Sequence, residues 1–198
     1  MIEQPTGAPP ALRADAARNV KRILETATRV LADHQNAGMA EVAGAAGLAR
    51  ATLYRHFPTR ADLVAAIRAQ AYDDAGAAIA ACRLEEGSAS SALRRLIEGL
   101  VAVGDRYRFL QNESGDADEA NRKRERELGE PVRAMIRRGQ ESGEFTTEVS
   151  ALWVSSTLDG LIRAGLRMVS EGEMTAGQAA ELIYRTTLRG LSGPQLSD

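Results

Sequence analysis

The sequence predicts an all-α protein, and three observations support this fold class. Apolar residues recur at three- and four-residue steps along most of the chain, which places them on one face of a helix. No segment shows the sustained alternation or the β-branched enrichment that is typical of strands. Turn and capping residues separate the periodic segments. At 198 residues the chain is long enough for one or two domains.

The amino-terminal part begins with an arm and continues as a helix. Pro5, Gly7, Pro9 and Pro10 disfavour a helix, so we expect a flexible arm over residues 1–10. From Ala11 the pattern becomes helical, and its apolar stripe consists of Val20, Ile23, Leu24, Ala27, Val30 and Leu31. A short link over residues 33–38 should end this helix.

Residues 39–57 carry the pattern of a helix-turn-helix. Met39, Val42, Ala43 and Ala46 share one face of a short helix. Gly47 follows, where a tight turn needs a residue that tolerates positive φ. Leu53 and Phe57, four residues apart, should hold a second short helix against the first. Two short helices joined by a glycine turn over a small shared core define the motif.

The outer side of the second short helix is rich in hydrogen-bond donors and contains no carboxylate. Its residues are Arg50, Ala51, Thr52, Tyr54, Arg55 and His56. Such a face suits the major groove of DNA, where the second helix contacts bases and its flanks contact the backbone. Other interpretations of these residues remain open. Tyr54 could be a core aromatic residue, and Arg50, Arg55 and the nearby Arg60 could be solvated surface residues.

Helices are also expected throughout the rest of the chain. Thr59 with Asp62 and Thr175 with Gln178 form capping boxes that should begin two of them. Pro131 either starts a helix or kinks a longer one. The run from Arg122 to Glu127 alternates in charge, as a solvated helix face does. Two final helices, over residues 147–169 and 175–191, are apolar on more than one face. We therefore expect them to form the interface of a homodimer, with Gly160, Ala164 and Gly165 allowing close approach.

Composition excludes several classes of protein. The net charge is −2, but residues 1–60 hold eight Lys or Arg against five Asp or Glu, so a polyanion would meet only that end. Cys82 is the only cysteine, which excludes an intrachain disulfide. With neither a signal-peptide pattern nor an apolar run long enough for a membrane span, we expect a cytoplasmic protein without membrane contact.

The two histidines have no metal-ligand spacing, and no Glu-x-x-His or nucleophile–base pattern occurs. We therefore expect no metal site, no cofactor and no enzymatic activity.

At this point a family resemblance appears. The string Leu-Tyr-Arg-His-Phe-Pro over residues 53–58, followed by Thr-Arg-Ala-Asp-Leu over residues 59–63, resembles the signature of the TetR family of transcriptional repressors. The segment Gly143-Glu144-Phe145 and the helix with Trp153 resemble actinobacterial-type members. Gly38 and Ala51 depart from the pattern, because Ser or Thr and Gly are usual there. Gly38 can still cap a helix and offer backbone N–H groups to phosphate.

The resemblance implies a homodimer that binds double-stranded DNA and responds to a small molecule. We expect a flexible arm at 1–10, a three-helix DNA-binding domain at 11–58, and a helical effector-binding and dimerisation domain at 59–198. The expected DNA contacts are Gly38, Arg50, Ala51, Thr52, Tyr54, Arg55, His56 and Arg60. Tyr107, Phe109 and Trp153 are candidates for the wall of an effector site, although core or interface packing also explains them. The alternative function is an architectural DNA binder or helical interaction module without an effector. A cavity in the carboxy-terminal body distinguishes the two.

Overall fold

The computed structural model describes residues 10–113 and 119–191, which are entirely helical apart from turns. The eight α-helices are α1 (Pro10–Asp33), α2 (Met39–Ala45), α3 (Arg50–His56), α4 (Arg60–Ala81), α5 (Ala89–Arg106), α6 (Glu119–Glu141), α7 (Ala151–Ser170) and α8 (Ala176–Leu191). A short 3-10 helix, Arg108–Asn112, lies between α5 and α6. Within these ranges there is no strand, and the all-α prediction is confirmed. The arm expected at residues 1–10 lies, up to residue 9, outside the described residues.

The chain divides into two compact units, and the division falls within α4 between Ile67 and Arg68. The first unit holds α1, α2, α3 and the first eight residues of α4. The second holds the remainder of α4 and all later helices. The functional boundary at residues 58 and 59 stays a prediction. None of the described helices is long and apolar enough to cross a membrane.

The first unit has a core to which all four of its helices contribute. Ile23 of α1, Val42 of α2, Leu53 of α3 and Ile67 of α4 are each at most 1% exposed. Burial of one such side chain stabilises a fold by about 1.5–3 kcal/mol. Because α2 and α3 have only seven residues each, they are too short to be stable as isolated helices, and this packing holds them.

The second unit is built around α5, whose Leu93, Leu96 and Ile97 are completely buried. Helices α6, α7 and α8 all pack against α5, and α7 also packs along α8. At Gly165 of α7 an added Cβ would lie 2.9 Å from Ile183 Cδ1 of α8. Gly165 therefore allows close approach of two helices in the same chain, and the expectation that it serves a second subunit is wrong.

Both predicted capping boxes are present. The Thr59 backbone N–H donates to Asp62 Oδ2 at 2.9 Å, and the Asp62 N–H donates to Thr59 Oγ1 at 3.1 Å. Thr175 and Gln178 exchange the same pair of bonds at 2.8 and 3.2 Å. Pro131 lies inside α6, twelve residues after its first residue, so the interpretation of Pro131 as a helix start is wrong.

The segment Gly143-Glu144-Phe145 follows α6 in the chain and packs against the start of α5. Gly143 adopts a φ of +76°, which turns the chain. The Glu144 carboxylate then accepts the backbone N–H groups of Ala89 and Ser90 at 2.9 and 3.1 Å. These bonds lower the pKa of Glu144, with the Ala89 N–H making the largest contribution. Phe145 is buried beside Gly139, where an added Cβ would be too close to its ring. A carboxylate from a distant segment thus satisfies free donors at the start of α5.

Replacement of Glu144 by Gln should destabilise the protein at neutral pH more than at acid pH. A lowered folded-state pKa provides stability above the unfolded pKa, about 4.3 for Glu, and this stability is lost as the pH falls through the folded value. We expect the difference in unfolding free energy between wild type and Glu144→Gln to shrink progressively below about pH 4. Urea titrations across this pH range measure it. Glu141→Gln is the control, because Glu141 is exposed and its replacement removes the same charge. A difference independent of pH would contradict the assignment.

Candidate nucleic-acid interface and cavity

The turn between α2 and α3 has the geometry that the sequence predicts. Gly47 adopts a φ of +65° immediately after the Ala46 C-cap. The Gly47 N–H donates to the Gly44 carbonyl at 3.1 Å, and the Leu48 N–H donates to the Ala43 carbonyl at 2.9 Å. This pair of bonds is a Schellman motif, which ends a helix and reverses the chain. α2 and α3 therefore form a helix-turn-helix.

α3 is held from one side and exposed on the other. Leu53 is completely buried and Phe57, its C-cap, is 7% exposed, as predicted. Tyr54 is 47% exposed, which excludes its interpretation as a core aromatic residue. The other predicted contact residues of α3 lie around it: Arg50, Ala51 and Arg55 are exposed, and Thr52 and His56 are half-buried. All six stand on one short helix without a carboxylate.

Gly38 and Arg60 flank this helix-turn-helix in different ways. Gly38 is the N-cap of α2, in an extended conformation with no side-chain hydrogen bond. It is exposed, and an added Cβ would meet nothing within 4 Å. Arg60 is half-buried, and its Nη2 donates to the Gln35 carbonyl at 2.9 Å. Arg60 therefore also ties the start of α4 to the link after α1, a contact that the sequence did not predict.

The second unit contains a cavity of about 550 Å³, partly open to solvent, between α4, α5, α6 and α7. Its size is within the range of about 300–1,000 Å³ that is usual for small-molecule sites. Much of the wall is aliphatic, including Ala75, Ile79, Leu100, Val103, Leu128 and Val132. The cavity therefore offers apolar surface to a ligand of moderate size.

Two tyrosine–carboxylate hydrogen bonds lie in or beside the cavity wall. Tyr72 of α4 donates to Glu125 Oε1 of α6 at 2.8 Å. Tyr107, at the end of α5, donates to Asp74 Oδ2 of α4 at 2.8 Å. Burial, followed by the hydrogen bond and the charge of the carboxylate, raises the pKa of each phenol to about 12. Both hydroxyls therefore remain protonated donors at physiological pH.

The cavity matches the predicted effector residues only in part. Tyr107 lines it. Phe109 is 2% exposed and is not among the lining residues. Trp153 is 64% exposed on α7 and lies outside the wall, so it does not pack in the core of this chain. The arrangement of aromatic residues in the sequence could not distinguish these three environments.

Sequence reasoning missed several polar residues of the wall, among them Tyr72 and Glu125. Glu125 belongs to the charge-alternating run of α6, which we interpreted as a solvated face. Glu125 is exposed like most of that run, but its Oε1 also accepts a hydrogen bond from Tyr72 on the cavity wall. Asp159 and Arg163, one helical turn apart on α7, form an ion pair in which Nε and Nη2 of Arg163 both donate to Asp159 Oδ2, at 2.9 and 2.6 Å. Both residues line the cavity as well.

Comparison with known proteins identifies the helix-turn-helix. Residues 23–67 match the profile of a family described as bacterial regulatory proteins, tetR family. The matched segment runs from within α1 to Ile67, where the first compact unit ends. Residues 23–67 form a DNA-binding domain of the tetR family. The helix-turn-helix is therefore that of a transcriptional regulator, and the family resemblance predicted from the sequence is confirmed.

Two transcriptional regulators and a solved structure resemble the chain over nearly its whole length. The HTH-type transcriptional repressor LfrR of Mycolicibacterium smegmatis is 28% identical over 185 residues, covering 92% of this chain and 95% of LfrR. The HTH-type transcriptional regulator NfxB of Pseudomonas aeruginosa is 27% identical over 186 residues, covering 89% and 96%. The crystal structure of LfrR in complex with proflavine superposes with a TM-score of 0.73, covering 88% of this chain and 98% of that one. These relatives are regulators and not enzymes, in agreement with the prediction.

Two neighbouring glycines should respond oppositely to replacement by alanine. Gly47→Ala places a Cβ in the left-handed region and should cost about 1–2 kcal/mol of unfolding free energy. Gly44→Ala lies within α2 in open space and should gain up to about 1 kcal/mol. Thermal or urea unfolding measures both. If Gly47→Ala were as stable as Gly44→Ala, the turn would not depend on the conformation of Gly47.

Proposed function

We propose that this chain is a ligand-responsive repressor that binds a pseudo-palindromic DNA operator as a homodimer. The observation that carries the proposal is the exposed face of α3, which presents Arg50, Thr52, Tyr54 and Arg55 on a helix held from behind by Leu53. No carboxylate on α3 opposes phosphate. The family match over residues 23–67 supports DNA as the partner.

The proposed DNA contacts divide into two groups according to their position on α3. Arg50, Ala51 and Thr52 stand in its first turn, the end that enters the major groove most deeply in helix-turn-helix proteins. Tyr54, Arg55 and His56 stand toward its end, beside the exit at Pro58, where the sugar-phosphate backbone would pass. Gly38 would offer its backbone N–H. Arg60 would contact phosphate while it keeps its bond to Gln35.

The proposed homodimer uses the exposed apolar residues of α7 and α8. Leu152 and Trp153 at the start of α7 are 62% and 64% exposed, and Leu182 of α8 is 54% exposed. Large apolar side chains grouped on exposed faces are typical of protein interfaces. A twofold pair of recognition helices about 34–36 Å apart would then contact successive major grooves.

The cavity supports a ligand-responsive regulator over an architectural DNA binder without an effector. A body without a cavity would have favoured the architectural function, whereas the second unit has one of about 550 Å³. LfrR, the relative whose structure contains proflavine, shares 28% of its residues with this chain. We therefore propose that a small organic molecule occupies the cavity and weakens DNA binding.

The proposal as a whole is tested with the DNA upstream of the chain's own gene. We expect the full-length protein to bind one site there as a dimer, measured by fluorescence anisotropy and light scattering, and to be released by micromolar proflavine. A random duplex of equal length is the control. A monomer at micromolar concentration, or equal affinity for both duplexes, would refute the operator-binding dimer. Specific binding that no small molecule weakens would favour the architectural alternative.

The two groups of contacts predict different consequences for substitution. Tyr54→Phe should weaken binding to every sequence by roughly 1 kcal/mol, because a phosphate hydrogen bond is lost. Thr52→Ala should instead relax the preference at one base step in each half-site, because its hydroxyl and methyl suit a thymine edge. Titration of each variant against a library of singly substituted operators measures both. A uniform loss for Thr52→Ala, or a base-specific loss for Tyr54→Phe, would reverse the assigned roles.

A further inference from the structure

Glu125 is a carboxylate of the cavity wall whose charge is only weakly compensated. Its Oε1 accepts a hydrogen bond from the Tyr72 hydroxyl, which is a neutral donor, at 2.8 Å. The guanidinium of Arg163 approaches this oxygen only to 4.0 Å. Arg163 directs both Nε and Nη2 to Asp159 instead, at 2.9 and 2.6 Å. Glu125 therefore faces the cavity with a negative charge that its neighbours leave largely available.

The other arginines of the wall also have partners elsewhere. Arg133 donates twice to Glu130, at 2.8 and 3.1 Å, on the same helix. Arg68 donates to the backbone carbonyl of Glu113 at 3.3 Å. Burial, the hydrogen bond to Glu125 and the charge of this carboxylate raise the pKa of Tyr72 to about 12, against the opposing charges of Arg163 and Arg68. The wall thus carries the Glu125 carboxylate beside the Tyr72 hydroxyl, with the guanidinium of Arg163 4.0 Å away.

We propose that Glu125 makes the cavity selective for a ligand in which a protonated nitrogen is attached to an apolar body. This inference rests on the proposed effector role of the cavity. The ammonium group would donate to Glu125 beside Tyr72, and a charge-assisted hydrogen bond of this kind is about twice as strong as a neutral one. The aliphatic wall from α5 and α6 would cover the apolar body.

Three compounds with the same aromatic body and different charge test the proposal on the full-length protein. They are 2-naphthylmethylamine, which is a cation at pH 7, the neutral 2-naphthylmethanol, and the anionic 2-naphthoate. Since the Glu125 side chain is 41% exposed, solvent screens part of its charge. We therefore expect the amine to bind about tenfold more tightly than the alcohol, or about 1.4 kcal/mol, by isothermal titration calorimetry.

Two variants locate the preference at Glu125. Glu125→Gln, of nearly the same shape, should reduce the affinity for the amine about tenfold and leave the affinity for the alcohol unchanged. Glu127→Gln is the matched control, because Glu127 lies on the same helix, outside the cavity wall, and loses the same charge. Asp159→Asn should also reduce the affinity for the amine, because the substitution frees Arg163 to pair with Glu125.

The outcomes separate this inference from the proposed effector role. Equal affinity for the three compounds, a preference for naphthoate, or an unchanged amine affinity in Glu125→Gln would overturn the charge selectivity, although the cavity would still bind ligands. Failure of all three compounds to bind at millimolar concentration would reject the effector role, and the charge selectivity with it. Thermal unfolding of each variant, monitored by circular dichroism, checks that its fold is intact.

Discussion

The structure of the DNA-binding unit depends on one turn, the Schellman motif at Gly47. Its two backbone bonds end α2 and send the chain back so that Leu53 of α3 enters the core. Because α3 has only two turns, burying Leu53 and Phe57 determines the orientation of all its other side chains. A different direction of the chain at Gly47 would turn Arg50 or Tyr54 inward. The exposed face of α3 is therefore a consequence of how the opposite face is held.

Side-chain oxygens perform a related task at the beginnings of other helices. Asp62 and Gln178 each accept a backbone N–H within their own capping box. Glu144 accepts two from a segment more than fifty residues away in sequence. The local boxes could be predicted because their spacing is fixed by one helical turn. The long-range cap could not, because nothing in the spacing of Glu144 and Ala89 links them until α5 and α6 pack together.

The same distinction explains which parts of the site were predictable. The helix-turn-helix lies within nineteen residues, so periodicity and a glycine that requires positive φ determine it locally. The cavity is formed by four helices that are distant in sequence, and its wall follows from their packing. The positions of aromatic residues in the sequence therefore do not predict which of them line the cavity. Tyr107 lies there, whereas Phe109 is in the interior and Trp153 is on the surface.

Helix α6 shows why a charged run is difficult to interpret from sequence alone. Its residues 122–127 are all charged. Lys123 pairs with Glu127 at 3.8 Å, and Arg122 and Arg126 pair with Glu119 at 3.5 and 2.8 Å. A helix of 23 residues nevertheless has several faces, and one of them borders a cavity. On that face Glu125 accepts a hydrogen bond from the Tyr72 phenol, and the guanidinium of Arg163 on α7 lies 4.0 Å away. The polar partner of a ligand can therefore come from a segment whose composition indicates only a solvated surface.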